Sequence, residues 1–567
     1  MDEQVDWLVA GSGAAGMTGA VVAQQLGGKV LLVEKESVYG GTTAKSGGVA
    51  WIPGNHRQSA AGISDSAEEG HTYLKGLIGD SVKSERLSAY ATRAPEMLRF
   101  MMEHSHIDYT PLPHYMDYYE DVPGYKPGGR SMDTASFSMR KLGSEAQNMR
   151  SGHYTGLLLP FNVTVVEGMK LQAMDMGAYL LGAKLLLRYL LDIPARLRKQ
   201  EDNRVTLGPA VVARLRRSMM DRNIPVWLNA PMKELIVENG RVCGAVICRQ
   251  GVDVSVMAKR GVLLATGGFS HNQALREQHQ QAPTGTQWTA AAPGATGDGI
   301  IMGQQVDAQL GFMDCAWWSP TYSLPDGRTL ALISGKSYPG SIMVNKQGKR
   351  FANEAQPYED LVKAQYASEA RGEDAIPCYL IFDAKYRNKY SAGHIKPGKI
   401  EADSAIPPDT FESGLLTIAA TLGELADKLN IDGAALKNTV DEFNKHAKTG
   451  DDPLFGRGST EHDRYYADKK VGPNPSLGPL ETGPFYALRC DPGDLDTKGG
   501  LLCDEFGSVL NSKGEVIAGL YAAGNTSAAV MGNTYPGAGA TIGSAMTFAY
   551  IAAQHAMAEN IEDKINE

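Results

Sequence analysis

The first 34 residues constrain the fold more than any other part of the chain. A short apolar segment at 7–10 precedes the glycine-rich sequence GSGAAG at 11–16, and a helical run follows at 17–26. A second apolar segment at 30–33 ends at Glu34. This order of strand, GxGxxG loop, helix, strand and acidic residue is typical of a dinucleotide-binding βαβ unit. A plain glycine turn is the alternative, and the strand–helix–strand context disfavours it.

Each glycine of this loop has its own physical task. Gly11 permits the tight turn, Gly13 lets the backbone approach a pyrophosphate, and Gly16 lets the helix pack on the strand. The start of the helix then points free N–H groups at the phosphates, and Glu34 can accept hydrogen bonds from the adenosine ribose. The cofactor contacts expected in this unit are Gly11, Ser12, Gly13, Ala14, Ala15, Gly16, Glu34 and Lys35.

A second loop rich in glycine and hydroxyl groups, GGTTAKSGG, follows at 40–48. Its backbone N–H and hydroxyl groups suit a cofactor that extends over the sheet and stays bound, which favours FAD over NAD. The flavin-facing glycine segment contains no histidine, so the FAD is expected to be non-covalent. The contacts expected here are Gly41, Thr42, Thr43, Ser46, Gly47 and Gly48.

Two later segments repeat the pattern of a strand that ends in a glycine turn. One strand ends in ATGG at 265–268, and another ends in AAGN at 522–525. Both are predicted to be sheet strands whose ends meet the cofactor, with two unrelated strand–turn units as the alternative. The expected contacts are Ala265, Thr266, Gly267, Gly524 and Asn525.

These segments together predict an α/β fold built from both ends of the chain. A Rossmann-like FAD-binding domain is expected at 1–286 and 496–567, because strands from both regions carry cofactor motifs. An α+β catalytic domain is expected to be inserted between them at 287–495. The chain of 567 residues is long enough for two large domains.

Composition excludes several other classes of protein. The net charge of −9 argues against nucleic acid as a partner. The six cysteines form no CxxC pair and no metal-type Cys/His spacing, so no metal site is expected. The N-terminus is acidic and leads directly into a strand, which predicts no secretory signal and a cytoplasmic location. No run of about 18 apolar residues is present, so no simple membrane-spanning helix is expected.

A leucine-rich stretch at 179–193 lies in an insert at about 170–205. Lys184, Arg188 and Asp192 share one face of the predicted helix, while leucines cover the remainder. The stretch is too short to span a bilayer, but it suits an amphipathic helix that lies on the inner face of the cell membrane. Basic residues just after it would suit anionic headgroups. A helix that packs in the core or in a dimer interface is an equally weighted alternative.

The sequence YPGAGATIG at 535–543 is a glycine-rich loop that runs into a helix. N–H groups at the start of a helix are good donors to an oxyanion, and the Tyr535 hydroxyl just before them can join. A loop that only contacts the flavin is the alternative, and the two roles are compatible. Ala540, Thr541 and Ile542 are expected to contact FAD.

Tyrosines mark two other segments. The stretch 341–358 contains a predicted hairpin at 346–348 and ends at Tyr358. A loop rich in proline and glycine carries Tyr115, Tyr118, Tyr119 and Tyr125. By composition alone, clustered tyrosines are more typical of a packed aromatic surface than of a catalytic site.

The chain resembles the 3-ketosteroid 1-dehydrogenases, which belong to the fumarate reductase/succinate dehydrogenase flavoprotein superfamily. The resemblance extends over nearly the whole chain except about 140–205. The N-terminal FAD motifs are shared by the whole superfamily. The elements YPGAG, GNTSA, TKGG and NEAQPY are more specific. The resemblance implies removal of two hydrogens from ring A of a 3-ketosteroid, with formation of the C1–C2 double bond.

The resemblance also implies individual roles. The Tyr535 hydroxyl and the Gly539 N–H hold the C3 oxygen of the steroid. Tyr358 abstracts the C2 proton with assistance from Tyr118, for which Tyr119 is the alternative, and C1 delivers a hydride to flavin N5. The apolar residues of the inserted domain that are expected to contact the steroid rings include Trp317 and Trp318.

Some alternatives stay open at this stage. Fumarate reductases carry a His–Thr–Met–Gly–Gly type of element where this chain has DTKGG at 496–500, and the missing histidine argues against a dicarboxylate substrate. The runner-up activity is dehydrogenation of a related ring ketone, for example a 3-ketosteroid at C4 and C5. A third reading is a non-catalytic, membrane-associated flavoprotein. A quinone is an attractive electron acceptor if the leucine-rich insert meets the membrane.

Overall fold

A computed structural model describes residues 3–152, 159–172, 175–197 and 202–558. The chain forms two compact units. The first unit comprises Met1–Asn272, Ala291–Ala316 and Asp496–Glu567, and the second comprises Gln273–Ala290 and Trp317–Leu495. Relative to the expected insertion at 287–495, the second unit also takes in 273–286 and leaves out 291–316.

The strands and helices follow in chain order. The strands are β1 Glu3–Ala10, β2 Val30–Val33, β3 Ala50–Trp51, β4 Tyr109–Pro111, β5 Ser131–Thr134, β6 Phe137–Ser138, β7 Arg204–Val205, β8 Val226–Trp227, β9 Met232–Glu238, β10 Arg241–Arg249, β11 Val252–Leu264, β12 Leu310–Gly311, β13 Ala316–Ser323, β14 Thr329–Ala331, β15 Ser341–Val344, β16 Cys378–Phe382, β17 Leu416–Ala419, β18 Phe485–Thr497, β19 Gly500–Leu501, β20 Ser508–Leu510 and β21 Val516–Ala522. The α-helices are α1 Ala14–Gln25, α2 Gly41–Lys45, α3 Ala67–Ile78, α4 Ser84–His104, α5 Val165–Gln172, α6 Met176–Leu191, α7 Ile193–Leu197, α8 Leu207–Asp221, α9 Gln273–His279, α10 Asp298–Gln305, α11 Tyr358–Ala370, α12 Ala384–Lys389, α13 Pro408–Glu412, α14 Leu422–Leu429, α15 Gly433–Thr449, α16 Glu461–Tyr465 and α17 Ala540–Ala558. Short 3-10 segments lie at Ser59–Ala61, Met139–Asn148, Thr286–Trp288, Gly335–Ser337, Asp403–Ala405 and Gly524–Thr526.

The first unit is organised around a largely parallel sheet with the order β20-β21-β11-β1-β2-β8. β1 pairs in parallel with both β2 and β11, and β11 pairs in parallel with β21. The inner strands read as continuous buried apolar runs, as expected for strands covered by helices on both faces. Because the strands are parallel, their carboxyl ends meet at one edge, where ligands of such sheets bind. The predicted Rossmann-like arrangement from both ends of the chain is therefore present.

The second unit has its own sheet, with the order β14-β13-β18-β16-β15 and β17 paired to β18. β16 is antiparallel to β15 and β18, so Ile381 lies opposite Ile342 on one side and Ala487 on the other. One face is covered by α14 and α15, which bury Leu425 and Val440 in the same core. The second unit is thus a mixed α and β body with a separate hydrophobic core.

The leucine-rich insert contains the predicted helix as α6. Ala178 and Leu185 are buried, but most of its apolar side chains face outward. Within the described ranges, no helix combines the length and the apolar character that crossing a membrane requires.

Candidate active site

Two of the three motif glycines after β1 lie in backbone that leaves no room for a side chain. Gly11 has a φ of +101°, and a Cβ there would lie 2.2 Å from the Ala265 carbonyl oxygen. A Cβ on Gly16 would lie 1.9 Å from the Gly11 carbonyl oxygen, so α1 packs directly on the turn. At Gly13 the nearest atom to such a Cβ is the Thr43 Oγ1 at 3.5 Å, which leaves the backbone open to a close ligand. The three positions therefore fit the tasks that the sequence predicts for them.

Glu34 ties the ends of β1 and β2 together. Its carboxylate accepts hydrogen bonds from the Ser12 N–H at 3.1 Å and from the Ser12 hydroxyl at 2.5 Å, and the Ser12 Oγ also accepts from the Gly40 N–H at 2.9 Å. The neighbouring Lys35 donates to Asp298 at 2.7 Å. Glu34 thus holds the loop through Ser12 and places a carboxylate at the end of β2, where a ribose is expected.

The second glycine loop packs against the first. The Ala14 N–H, at the start of α1, donates to the Thr43 Oγ1 at 2.9 Å. The Ser46 hydroxyl donates to the Thr43 carbonyl at 2.8 Å, and the Thr42 Oγ1 accepts from the Ala292 N–H at 3.1 Å. The two loops, both expected to contact FAD, therefore form one continuous surface.

The predicted motifs at 265–268 and 522–525 also converge, through Asp496. This buried carboxylate accepts hydrogen bonds from the Gly268 N–H at 3.1 Å and from the Asn525 side chain at 3.0 Å. The Thr526 hydroxyl donates to the Gly267 carbonyl at 3.1 Å. Sequence reasoning did not give Asp496 this role, because nothing in its local sequence shows which strand ends it joins.

The cradle suits a dinucleotide that lies across the carboxyl edge of the sheet. The N-terminus of α1 supplies a positive dipole end for phosphates. The start of α17, with Ala540, Thr541 and Ile542, provides a second helix N-terminus in the same unit. These features fit FAD by the shape and donor chemistry of the backbone alone.

The YPGAG loop is held by hydrogen bonds to its carbonyl groups. The Pro536 carbonyl accepts from the Tyr118 N–H at 3.0 Å and from the Tyr73 hydroxyl at 2.9 Å. The Ala538 carbonyl accepts from the Ser131 hydroxyl at 2.9 Å, and the Gly539 carbonyl accepts from the Trp51 N–H at 3.0 Å. Since the carbonyls of this loop are tied to the first unit, its N–H groups are fixed in direction.

Gly539 adopts a conformation that only glycine takes easily. Its φ is +94°, and a Cβ would lie 2.5 Å from the Val49 carbonyl oxygen. Among the described residues, none accepts a hydrogen bond from the Gly539 N–H. The group is therefore available as a donor, as the predicted role requires.

Tyr118 and Tyr535 are brought together. Each is only 4% exposed, and their ring centroids lie 5.7 Å apart. The Tyr535 hydroxyl lies 3.5 Å from the Thr541 Oγ1. Tyr119 is half-buried, and its N–H donates to the Tyr73 hydroxyl at 3.2 Å. The Tyr118 ring therefore lies against the Tyr535 ring.

A buried charge network, which no sequence motif indicated, supports this region. The Asp117 carboxylate accepts from the Trp51 indole N–H and from Arg130, both at 2.7 Å. Arg130 also pairs with Asp65 at 2.7 Å. Burial raises the pKa of Asp117 to about 6, against the opposing effect of Arg130. One guanidinium thus serves two carboxylates, and the network positions Trp51, which in turn holds Gly539.

The second unit carries Tyr358, the first residue of α11, which is 6% exposed. The segment before it is fixed by Lys336, whose Nζ donates to the Glu354 carbonyl at 2.9 Å and to the Gln356 carbonyl at 2.7 Å. The Glu354 side chain pairs with Arg350 at 2.7 Å. Burial lowers the pKa of Lys336 to about 7. The sequence analysis missed Lys336, which lies 22 residues before Tyr358 in the chain.

The two tryptophans expected to meet the steroid lie in β13 of the same unit. Trp317 is 1% exposed and Trp318 is 5% exposed. The Trp318 ring lies edge-on to the Tyr366 ring, with centroids 5.4 Å apart. Both side chains are therefore buried within the second unit, and Trp318 packs against an aromatic ring.

Comparison with known proteins gives a consistent result. Residues 6–542 match the family model described as FAD binding domain. The chain is 40% identical over 577 residues to a 3-oxosteroid 1-dehydrogenase of Mycobacterium tuberculosis, covering 98% of each chain. It is 35% identical over 564 residues to a 4-oxocyclohexanecarboxylate 2-dehydrogenase of Sinomonas cyclohexanicum, covering 96% of this chain and 92% of that one.

A solved structure is similar over the full length. The crystal structure of 3-ketosteroid delta1-dehydrogenase from Sterolibacterium denitrificans, in complex with 1,4-androstadiene-3,17-dione, matches with a TM-score of 0.95 and 42% identity. The match covers 98% of this chain and all of that chain. The similarity therefore includes the residues of both compact units.

Proposed function

The chain belongs to the FAD-binding family of 3-oxosteroid 1-dehydrogenases, and we propose on that premise that it introduces the C1–C2 double bond into ring A of 3-ketosteroids. The observation that carries this function is the 40–42% identity to named 3-oxosteroid 1-dehydrogenases over 98% of the chain. The arrangement of Tyr535 and Gly539 supports it, because a ketone oxygen needs donors where its negative charge develops.

The enzyme uses FAD, which accepts the hydride from C1 of the steroid when it is bound. The chain's own contribution to cofactor binding is the cradle formed by the GSGAAG loop, the 40–48 loop and the ends of β2, β11 and β21. Glu34 and the N-terminus of α1 would hold the ribose and the pyrophosphate. The start of α17 would contact the flavin.

The protein residues act on the ketone and on the C2 proton. The Tyr535 hydroxyl and the Gly539 N–H donate hydrogen bonds to the C3 oxygen. Tyr358 takes the C2 proton, and the electron pair of the broken C2–H bond moves toward C3 and its oxygen. A phenol with an ordinary pKa near 10 is a weak base at neutral pH, so assistance from the Tyr118 hydroxyl is part of the proposal.

An anaerobic reaction tests this function directly. Purified protein is mixed with 4-androstene-3,17-dione, flavin absorbance is followed, and the product is identified by mass spectrometry. Bleaching of the flavin with 1,4-androstadiene-3,17-dione as product is the expected result. Tyr535→Phe should slow the bleaching by about 10²–10³-fold while FAD remains bound, because one donor to the C3 oxygen is lost. A flavin that stays oxidised would refute the function.

The similarity to a 4-oxocyclohexanecarboxylate dehydrogenase supports a related ring ketone as the second candidate. The same anaerobic assay with 4-oxocyclohexanecarboxylate separates the two. Faster flavin reduction by the small ketone than by the steroid would favour this second function.

We also propose that α6 rests on a membrane surface. Five of its side chains are between 53% and 66% exposed, namely Tyr179, Leu180, Leu187, Leu190 and Leu191. Two polar residues are held by ion pairs: Arg188 pairs with Asp202 at 2.7 Å, and Asp192, the C-cap of the helix, pairs with Arg140 at 2.5 Å. Steroid substrates and quinones both partition into lipid, so a quinone is the proposed electron acceptor.

Vesicle flotation tests the membrane contact. The triple variant Leu180→Ser, Leu187→Ser, Leu191→Ser should bind vesicles of phosphatidylglycerol and phosphatidylcholine roughly 100-fold more weakly than the unchanged protein. The reason is that three leucine side chains that would be partly buried in the lipid are lost. The matched control replaces Val252, Ile400 and Leu454, which are 64%, 69% and 71% exposed elsewhere, by serine. Equal flotation of both variants refutes the contact. Loss of dimerisation in the first variant, without vesicle binding by the unchanged protein, assigns α6 to an interface between two copies.

A further inference from the structure

Lys498 is a buried lysine beside the YPGAG loop. Its side chain is fully buried, and its Nζ donates to the Thr534 carbonyl at 2.7 Å. The same Nζ lies 5.9 Å from the centroid of the Tyr535 ring. Its main chain is anchored on both sides, since its N–H donates to the Cys315 carbonyl at 3.0 Å and its carbonyl accepts from the Ala529 N–H at 3.0 Å. The cation is therefore held in a defined place next to the proposed donor tyrosine.

A cation near a phenol ring changes how well the phenol donates. The ring face attracts the positive charge, and the attraction grows when negative charge enters the ring. Negative charge enters the Tyr535 ring when its hydroxyl shares its proton with an enolate oxygen. A nearby ammonium therefore makes the hydroxyl more acidic, and so a stronger hydrogen-bond donor.

We propose that Lys498 is a positioning residue that acts through Tyr535 to stabilise the enolate of the ring-A ketone. This role rests on the dehydrogenation proposed above. In the step concerned, the C2–H bond breaks, its proton goes to the phenolate form of Tyr358, and its electron pair leaves a C2–C3 double bond and a negative C3 oxygen. Lys498 keeps its own proton throughout, so the step needs no further reactant.

The size of the effect follows from the separation. For a full negative charge on the Tyr535 ring, whose centroid is 5.9 Å from the Nζ, and an effective dielectric constant of about 20, Coulomb's law gives an upper limit of about 100-fold in an equilibrium constant. Because the negative charge exists only as the enolate forms, the loss is expected in kcat rather than in KM. A lysine that only braces the Thr534 carbonyl would show no such split.

Two kinds of substitution separate charge from packing. Lys498→Gln keeps a donor for the Thr534 carbonyl and removes the charge. If this variant loses FAD, Lys498→Met serves as the neutral variant instead. Lys498→Arg keeps the charge. The expected result is a drop in kcat of more than about tenfold and up to about 100-fold in the neutral variants, and of less than about tenfold in Lys498→Arg. The matched control, Lys513→Gln, changes an exposed lysine of the same unit and should leave kcat unchanged.

A non-reacting steroid gives a second readout. The ring A of 17β-oestradiol is a phenol, so it presents a C3 oxygen that ionises but cannot lose hydrogens at C1 and C2. Ultraviolet difference spectra give the pH at which the bound phenol ionises. That pH should be higher in Lys498→Gln than in the unchanged protein, by up to about two units, and it should be unchanged in Lys498→Arg.

The outcomes distinguish this role from the proposed function. If the unchanged protein does not dehydrogenate 4-androstene-3,17-dione, the function fails, and the phenol titration still decides whether Lys498 stabilises an anionic C3 oxygen. If the unchanged protein is active, and the neutral and charged variants lose activity alike with no shift of the bound phenol, Lys498 is structural and the inference is overturned. In a Tyr535→Phe background, Lys498→Gln should cost less than about threefold, because the group it acts through is gone.

Discussion

Gly539→Ala tests how the tertiary structure fixes the oxyanion donor. The φ of +94° is unfavourable for alanine, and a strained backbone of this kind costs roughly 1–3 kcal/mol. The new Cβ would lie 2.5 Å from the Val49 carbonyl oxygen, about 1 Å closer than an optimal contact. Gly539 cannot shift freely, because its carbonyl is bound by the Trp51 N–H at 3.0 Å. The loop must therefore move by about 1 Å, which is enough to cost about 10²-fold in turnover.

The assay compares anaerobic flavin reduction by 4-androstene-3,17-dione, FAD content and thermal midpoint in the same preparations. Gly423→Ala, in α14, is the matched control, since a Cβ there meets nothing closer than the Thr421 Oγ1 at 4.0 Å. It should leave turnover unchanged and raise stability by up to about 1 kcal/mol. A Gly539→Ala protein that keeps its FAD, its thermal midpoint and turnover within threefold of the unchanged protein would show that the N–H of this loop is not the donor.

Three further predictions concern the base, the cofactor loop and the buried network. Tyr358→Phe removes the proposed base and should lower turnover by about 10²–10⁴-fold in the anaerobic assay while the flavin spectrum stays unchanged; near-normal turnover excludes Tyr358. Gly16→Ala places a Cβ 1.9 Å from the Gly11 carbonyl oxygen, so the ratio of FAD to protein after purification should fall sharply, and full occupancy would contradict the packing. The pKa of Asp117 is raised to about 6, so its stabilising effect is complete below about pH 4 and is lost as the pH rises through about 6. The thermal midpoint of the unchanged protein minus that of Asp117→Asn should fall as the pH rises from about 4 through about 6. A difference that does not change with pH would refute the raised pKa of Asp117.

The elements that the sequence predicted correctly are those with local chemistry. β1, the GSGAAG turn, α1 and β2 follow from neighbouring residues, because apolar runs, a glycine turn and helix-forming residues each act over a few positions. The same holds for α17 after the YPGAG loop and for α6 in the insert. The exposed face of α6 was one of two readings in the sequence, since leucines at helical spacing fit a core as well as a surface.

The boundaries between the two units were less accessible. The sequence placed an insertion at 287–495, whereas 291–316 belongs to the first unit. Within that unit α10 abuts the end of β11, where the Gly299 N–H donates to the Thr266 hydroxyl at 3.1 Å. Such a contact between residues 33 positions apart has no local signature.

By itself, the sequence determined a dinucleotide cradle assembled from both chain ends, and it marked the tyrosines and the glycine loop that carry the proposed chemistry. Only the tertiary structure decided which groups hold these residues in place or lie next to them. Arg130 serving both Asp65 and Asp117, Trp51 holding Gly539, and Lys498 lying over Tyr535 all join residues far apart in the chain. Motifs are read from spacing along the backbone, whereas buried charges find partners only after the chain has folded and excluded water from around them.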